Sequence, residues 1–142
     1  MNIYGIVAGI KASGYDRILT IQLNGRTVWC SYFKPSEYVE SGRSSELLGS
    51  GTSVRLKIFL TMVLKSEVIG DKGDRSMTQN IPNSPHVVAF GRVEDKLASD
   101  AYLVSVGEVD PIEVQFEQDV KLNVGAYIRI EGELTAVDDI DE

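Results

Sequence analysis

The sequence predicts an all-β protein. Three observations carry this: apolar and polar residues alternate through most of the chain, helical periodicity is nearly absent, and turn residues punctuate the alternating runs. A period of two sends successive side chains to opposite faces of a strand, so each run can bury one face and leave the other in water.

The clearest element is residues 18–33, where Asn24-Gly25 joins two β-rich runs. Both residues accept the positive φ of a two-residue type I′ turn, which fixes the hairpin's register. Leu23 then faces Arg26, Ile21 faces Val28 and Leu19 faces Cys30 on an apolar side. Thr20 faces Trp29 and Gln22 faces Thr27 on the more polar side, with Phe33 near the open end. Residues 33–52 are rich in Ser and Gly and read as a loop with short helix, in which Pro35 starts a helix, Gly42 breaks it and residues 44–48 add a turn. Residues 52–65 form a long strand whose core row is Val54, Leu56, Ile58, Leu60, Met62 and Leu64. Arg55, Lys57, Phe59, Thr61 and Lys65 lie on its reverse.

Residues 66–85 have few large apolar side chains and no alternation, and are interrupted at Gly70, Gly73, Pro82 and Pro85, so they read as a linker or mobile loop. Strand candidates follow at 86–95, 101–109, 112–118 and 126–137. The last points Ala126, Ile128, Ile130, Leu134 and Ala136 inward, and Tyr127, Arg129, Glu131, Glu133 and Thr135 outward. The expected organisation is a mildly basic β-rich half at 1–65, the connection at 66–85, and an acidic half at 86–142. The four strands of the first half run in the same order as the four of the second, with Val28 matching Val114 and Val54 matching Ile128, which suggests a degenerate internal repeat.

The chain has 142 residues, 43% of them apolar, enough to bury a core without disulfides or a metal. Its net charge of −7 is unevenly divided. Residues 1–70 hold eight Lys or Arg against five acids, and residues 71–142 hold six bases against sixteen acids. The start is not like a secretory leader, and no apolar run is long enough to span a bilayer, so a cytoplasmic protein without membrane contact is expected. His86 and Cys30 are the single histidine and cysteine, which leaves little material for a metal cluster or a Cys-His pair. His86 reads as structural or solvated and Cys30 as a buried small hydrophobe. Gly49-Ser50-Gly51-Thr52 lacks the lysine and spacing of a phosphate loop. No catalytic residue, metal or cofactor is expected, and the chain reads as a binding module rather than an enzyme.

The segment Leu122-Asn123-Val124-Gly125-Ala126-Tyr127-Ile128-Arg129-Ile130-Glu131-Gly132-Glu133-Leu134 resembles OB-fold proteins of the single-stranded nucleic-acid-binding type, in which a Val-Gly step leads into an amphipathic strand ending in a Glu-Gly pair. The resemblance covers about 87–137 and, more loosely, 3–64. It implies a five-stranded barrel with an outer ligand groove, here as two small barrels in tandem or one larger β-structure. The terminal Asp138-Asp139-Ile140-Asp141-Glu142 is similar to the acidic tail by which bacterial single-stranded DNA-binding proteins recruit partners, though it lacks their terminal Pro-Phe pair.

Two ligand classes follow. Trp29 and Phe33 on the hairpin, with Arg55, Lys57 and Phe59 on the long strand and Arg17, Arg26 and Lys34 nearby, are the residue types that stack bases and neutralise phosphates. The same aromatics equally suit a second core with the arginines as its rim. Alternatively, the acidic half, with Asp138, Asp139, Asp141 and Glu142, serves a basic protein, as in an inhibitor, immunity protein or assembly adaptor. Exposed strand edges leave homodimerisation open.

Overall fold

A computed structural model describes residues 1–23, 25–40, 43–44, 49–107 and 110–138. Among the described residues there are ten strands and no helix. The first four are β1 (Asn2–Ser13), β2 (Asp16–Leu23), β3 (Arg26–Phe33) and β4 (Ser53–Val63). Two short strands follow, β5 (Ser66–Gly70) and β6 (Ser76–Thr78). The last four are β7 (His86–Ala98), β8 (Ala101–Ser105), β9 (Ile112–Phe116) and β10 (Tyr127–Asp138). The β2–β3 hairpin has the register its turn dictates, with Leu19 opposite Cys30 and Thr20 opposite Trp29. Gly25 takes a φ of 72°, and Asn24 lies outside the described residues.

The architecture is organised by β4 and β10, which cross antiparallel with Leu60 opposite Leu134. To one side, β1, β2 and β3 complete a closed ring: β1 pairs with β4, and β3 runs parallel to β10. To the other, β7, β8 and β9 complete a second ring: β7 pairs with β10, and β9 runs parallel to β4. Each half therefore lends its long fourth strand to the other half's ring. Residues 66–85, expected as a linker, carry β5 against β10 and β6 against β7.

The two rings repeat each other in detail. Val7 opposite Ile21 corresponds to Val93 opposite Val104, and each pair is followed by a register shift, between Val7 and Gly9 in β1 and between Val93 and Asp95 in β7. Val7 N–H donates to Thr52 O (2.9 Å), and Val7 O accepts from Gly51 N–H (2.7 Å). Val93 does the same with Ala126 (2.9 Å) and Gly125 (2.7 Å). Gly5 and Gly91 also correspond: a Cβ would lie 2.4 Å from Ile21 Cγ2 at the first and 2.5 Å from Val104 Cγ1 at the second, so strand and neighbour approach this closely only at glycine. The match of Val54 with Ile128 agrees with the structure. In the third strand, Cys30 rather than Val28 corresponds to Val114.

The inward rows of both rings form one apolar cluster that includes Leu19, Ile21, Val28, Leu56, Ile58, Val114, Phe116, Ile128 and Ile130. Two residues of the expected core row of β4 and its continuation are exposed instead: Met62 at 56% and Leu64 at 69%. Met62 takes a φ of 57°, and the β4–β9 register shifts between Leu60 and Val63. That left-handed residue reverses the alternation, so Val63 turns inward instead. In the 33–52 connection, Pro35 and Ser36 form a turn rather than a helix start, and Gly42 and residues 45–48 lie outside the described residues. Among the described residues no helix is long and apolar enough to cross a membrane.

Candidate nucleic-acid interface

The insertion of β10 between β3 and β4 decides which side chains share a surface. Thr135 pairs with Ser31 on one side and Phe59 on the other, and Val137 pairs with Lys57. Trp29 and Phe33 are the outward residues either side of Ser31, so Trp29, Phe33, Lys57 and Phe59 meet on one outer face of β3, β10 and β4. Arg55 continues this face along β4 and lies over the Tyr4 ring of β1, 4.7 Å from its centroid. The Lys57 ammonium stands 5.5 Å from the Phe59 ring centroid. Both contacts are within the range in which a cation is held by an aromatic face.

The aromatics differ in accessibility. Phe33 is 59% exposed, whereas Phe59 and Trp29 are half-buried. Gln79, just past β6, covers the free edge of β3: Trp29 N–H donates to its Oε1 (2.9 Å), and its Nε2 donates to Trp29 O (2.7 Å). The indole Nε1 is buried without a hydrogen-bond partner, so Trp29 offers a ligand only part of its ring. Glu133, opposite His86, shares the outward parity of Thr135 on β10, and its backbone O accepts the Thr61 hydroxyl (3.4 Å).

Two expected cations are elsewhere. Arg17 is fully buried, not a surface phosphate contact. Its Nη1 donates to Gly14 O and Asp16 O (both 2.9 Å), and its Nη2 donates to Glu37 O (2.6 Å) and Glu37 Oε1 (3.1 Å). It shares the inward parity of Leu19 and Ile21, which was the sequence signal for its burial. Arg26 stands at the mouth of the first ring, around a hollow of about 290 Å³ lined by Met1, Ile3, Leu23, Met77 and Asp110. Lys34 follows Phe33, and its N–H donates to Tyr15 O (2.8 Å). Asp138 accepts the Tyr32 hydroxyl at 2.8 and 2.9 Å, which ties it to the first ring rather than leaving it as a loose tail residue. Asp139, Asp141 and Glu142 lie outside the described residues.

Sequence reasoning passed over three aromatics: Tyr4, and the exposed Tyr15 and Tyr38 beside Phe33. It also passed over a cleft of about 590 Å³ where β10 passes between the rings, lined by Met62, Leu64, His86, Arg129, Glu131 and Glu133 among others. There Arg129 Nη2 lies 2.5 Å from Glu131 Oε1 and holds that carboxyl below the usual range, and His86 Nε2 is 3.9 Å from Glu131 Oε2. Among the described residues, no group of three His, Cys, Asp or Glu is placed to hold a metal. Cys30 is buried in the first ring, where desolvation pushes its thiol up to about 12.

No family model matches the chain, nor does any curated protein or solved structure. The functional reading therefore rests on the geometry.

Proposed function

We propose that the chain is a non-enzymatic module of two OB-like rings that binds single-stranded nucleic acid on the β3–β10–β4 face. Among the described residues the first ring runs β1-β2-β3-β10-β4, with β3 and β10 parallel and its other neighbours antiparallel. A closed five-stranded ring in which β4 returns beside β1 rather than following β3 supports the OB-like reading, and such folds use an outer strand face for oligonucleotides. Fold alone does not give function.

The observation that carries the proposal is the meeting of Lys57 and Phe59 with Phe33 and Trp29 across one strand, on which the uncharged Thr135 and Val137 lie between Phe33 and the Lys57–Phe59 pair and Glu133 is the next residue of the same row. Exposed rings stack bases without regard to sequence, at about 1 to 3 kcal/mol per base, while lysines and arginines follow the phosphates. Three acids of the second half, Asp95, Glu117 and Asp119, are exposed on the β7–β9 side, away from this face. Titration of a labelled single strand at low salt tests the reading. Saturable binding that weakens as salt rises is the expected result, and no binding at low salt rejects it.

Those second-ring acids also favour a second reading, in which the module docks a basic protein partner through the β7–β9 side. Rim charges act mainly on association rate, so such a complex would form more slowly as salt rises. A basic partner bound by a variant carrying Asp95→Asn, Glu117→Gln and Asp119→Asn as well as by the native chain would reject it.

A further inference from the structure

At the end of the β2–β3 hairpin, three aromatic rings stand together on the surface: Tyr15 is 44% exposed, Phe33 59% and Tyr38 65%. Tyr15 is central. Its ring centroid is 6.0 Å from Phe33 at an interplanar angle of 63° and 5.2 Å from Tyr38 at 74°. The rings come from three places, the β1–β2 turn, the end of β3 and the loop beyond it, so some device must hold them together. Gly14 and Val39 form a bridge with reciprocal hydrogen bonds of 2.7 and 2.8 Å. The Tyr38 ring lies over Gly14, 3.5 Å from where a Cβ would be. Beneath them the buried Arg17 joins the Gly14 and Asp16 carbonyls to Glu37, whose carboxylate answers its charge. A buried charge is costly to desolvate, and this one's hydrogen bonds all serve to fix the loop that carries Tyr38 against the turn that carries Tyr15.

Exposed apolar surface this concentrated marks a contact site, and rings already held in place lose little freedom when a ligand arrives. Phe33 belongs both to this cluster and to the β3–β10–β4 face, so the two surfaces are continuous. Resting on the function proposed above, we infer that Tyr15, Phe33 and Tyr38 form a base-stacking platform onto which a single strand runs after crossing Lys57 and Phe59. Two strand spacings separate Phe33 from Lys57, about 10 Å, and the platform extends the track past Tyr15 to Tyr38. The combined track suits about four nucleotides, the lower end of what a single OB fold occupies. Asp16, opposite Phe33, opposes a phosphate at the platform, so stacking rather than charge is the contact made there.

The native chain is titrated with a poly-dT strand of about 12 nucleotides in which bromodeoxyuridine replaces thymidine, then irradiated, and the crosslinked residues are mapped by mass spectrometry. In parallel, affinities are measured for the double variants Tyr15→Ala/Tyr38→Ala and Tyr15→Phe/Tyr38→Phe. Crosslinks at Tyr15, Phe33 or Tyr38, a loss of about tenfold or more in the alanine variant and near-native affinity in the phenylalanine variant are expected, with an unchanged dependence on salt. Crosslinks confined to Trp29 and Phe59 overturn the platform and leave the β3–β10–β4 face standing. Absence of both binding and crosslinking in the native chain overturns the two together.

Discussion

The hydroxyls of Thr61 and Thr135 lie 2.7 Å apart, and the two residues are each other's counterparts in the two halves of the chain. The equivalence of Gly51 with Gly125, carried along β4 and β10 without a gap, brings Leu60 onto Leu134 and Thr61 onto Thr135. The approximate two-fold axis of the repeat therefore passes through this contact. Because each half completes the other's ring, the seam is where the two rings are joined. Replacing both threonines by valine removes two half-buried hydroxyls together, whereas replacing one leaves the other unpaired. A double-mutant cycle on denaturant midpoints should give a coupling of about 0.5 to 1.5 kcal/mol. Strict additivity would show that the hydroxyls do not interact in solution.

Gly5→Ala and Gly91→Ala should each destabilise the fold by about 1 to 3 kcal/mol, because the new methyl meets the β-branched side chains Ile21 and Val104 in a packed interior. Both variants should lower the same cooperative transition. Two separate transitions, each sensitive to only one glycine, would mean that the rings unfold independently despite their shared strands.

Arg17→Met removes the buried guanidinium that answers the Glu37 carboxylate and bonds the carbonyls of Gly14 and Asp16, and should cost about 3 to 5 kcal/mol. Any oligonucleotide binding that survives in the folded fraction should keep the native salt dependence. A smaller salt slope in this variant would instead return Arg17 to the phosphate-binding surface.

What the sequence discloses depends on how local each feature is. The β2–β3 register was legible because two turn residues dictate it. Alternation in β10 located Ile128, Ile130, Leu134 and Ala136 in the core, as found. The phase of Met62 and Leu64 was not legible, since nothing in Thr-Met-Val-Leu announces a left-handed methionine. The face that unites Phe33 with Lys57 was legible only as a list of suitable residues. Its assembly requires β10 to lie parallel to β3, a pairing between residues 31–32 and 135–136 that leaves no local trace. Arg17 was misplaced for a different reason: its charge outweighed its parity, although the inward row of β2 already contained its position.

Stability should fall in alkali. Burial raises the Cys30 thiol from 9.0 to about 12 and, with the hydrogen bond to Asp138, raises the Tyr32 phenol above 10. Both folded values exceed the unfolded ones, so the neutral groups contribute fully below pH 9 and that contribution is lost as pH rises toward the folded values. For Cys30 the loss is about 1.4 kcal/mol per pH unit above 9. Urea denaturation from pH 8 to 11 should show the decline, and Cys30→Ala should flatten it. A native thiol that reacts with a disulfide reagent as fast as the unfolded chain at pH 8 would contradict its burial.

Charge and stacking on the β3–β10–β4 face can be separated by salt. With Arg17 and Arg26 removed from this surface, Lys34, Arg55 and Lys57 remain, and three cations give a log-affinity slope against log salt of about −2. Lys57→Ala should reduce that slope by about 0.7. Phe59→Ala removes a ring rather than a charge, so it should cost about 1 to 3 kcal/mol in affinity with the slope unchanged. Glu133→Gln removes a carboxylate beside the same track and should tighten binding, most visibly at low salt, where screening is weakest. The three variants pull in different directions. A Lys57→Ala variant with the native slope, or a Glu133→Gln variant that binds more weakly, would place the strand somewhere other than this face.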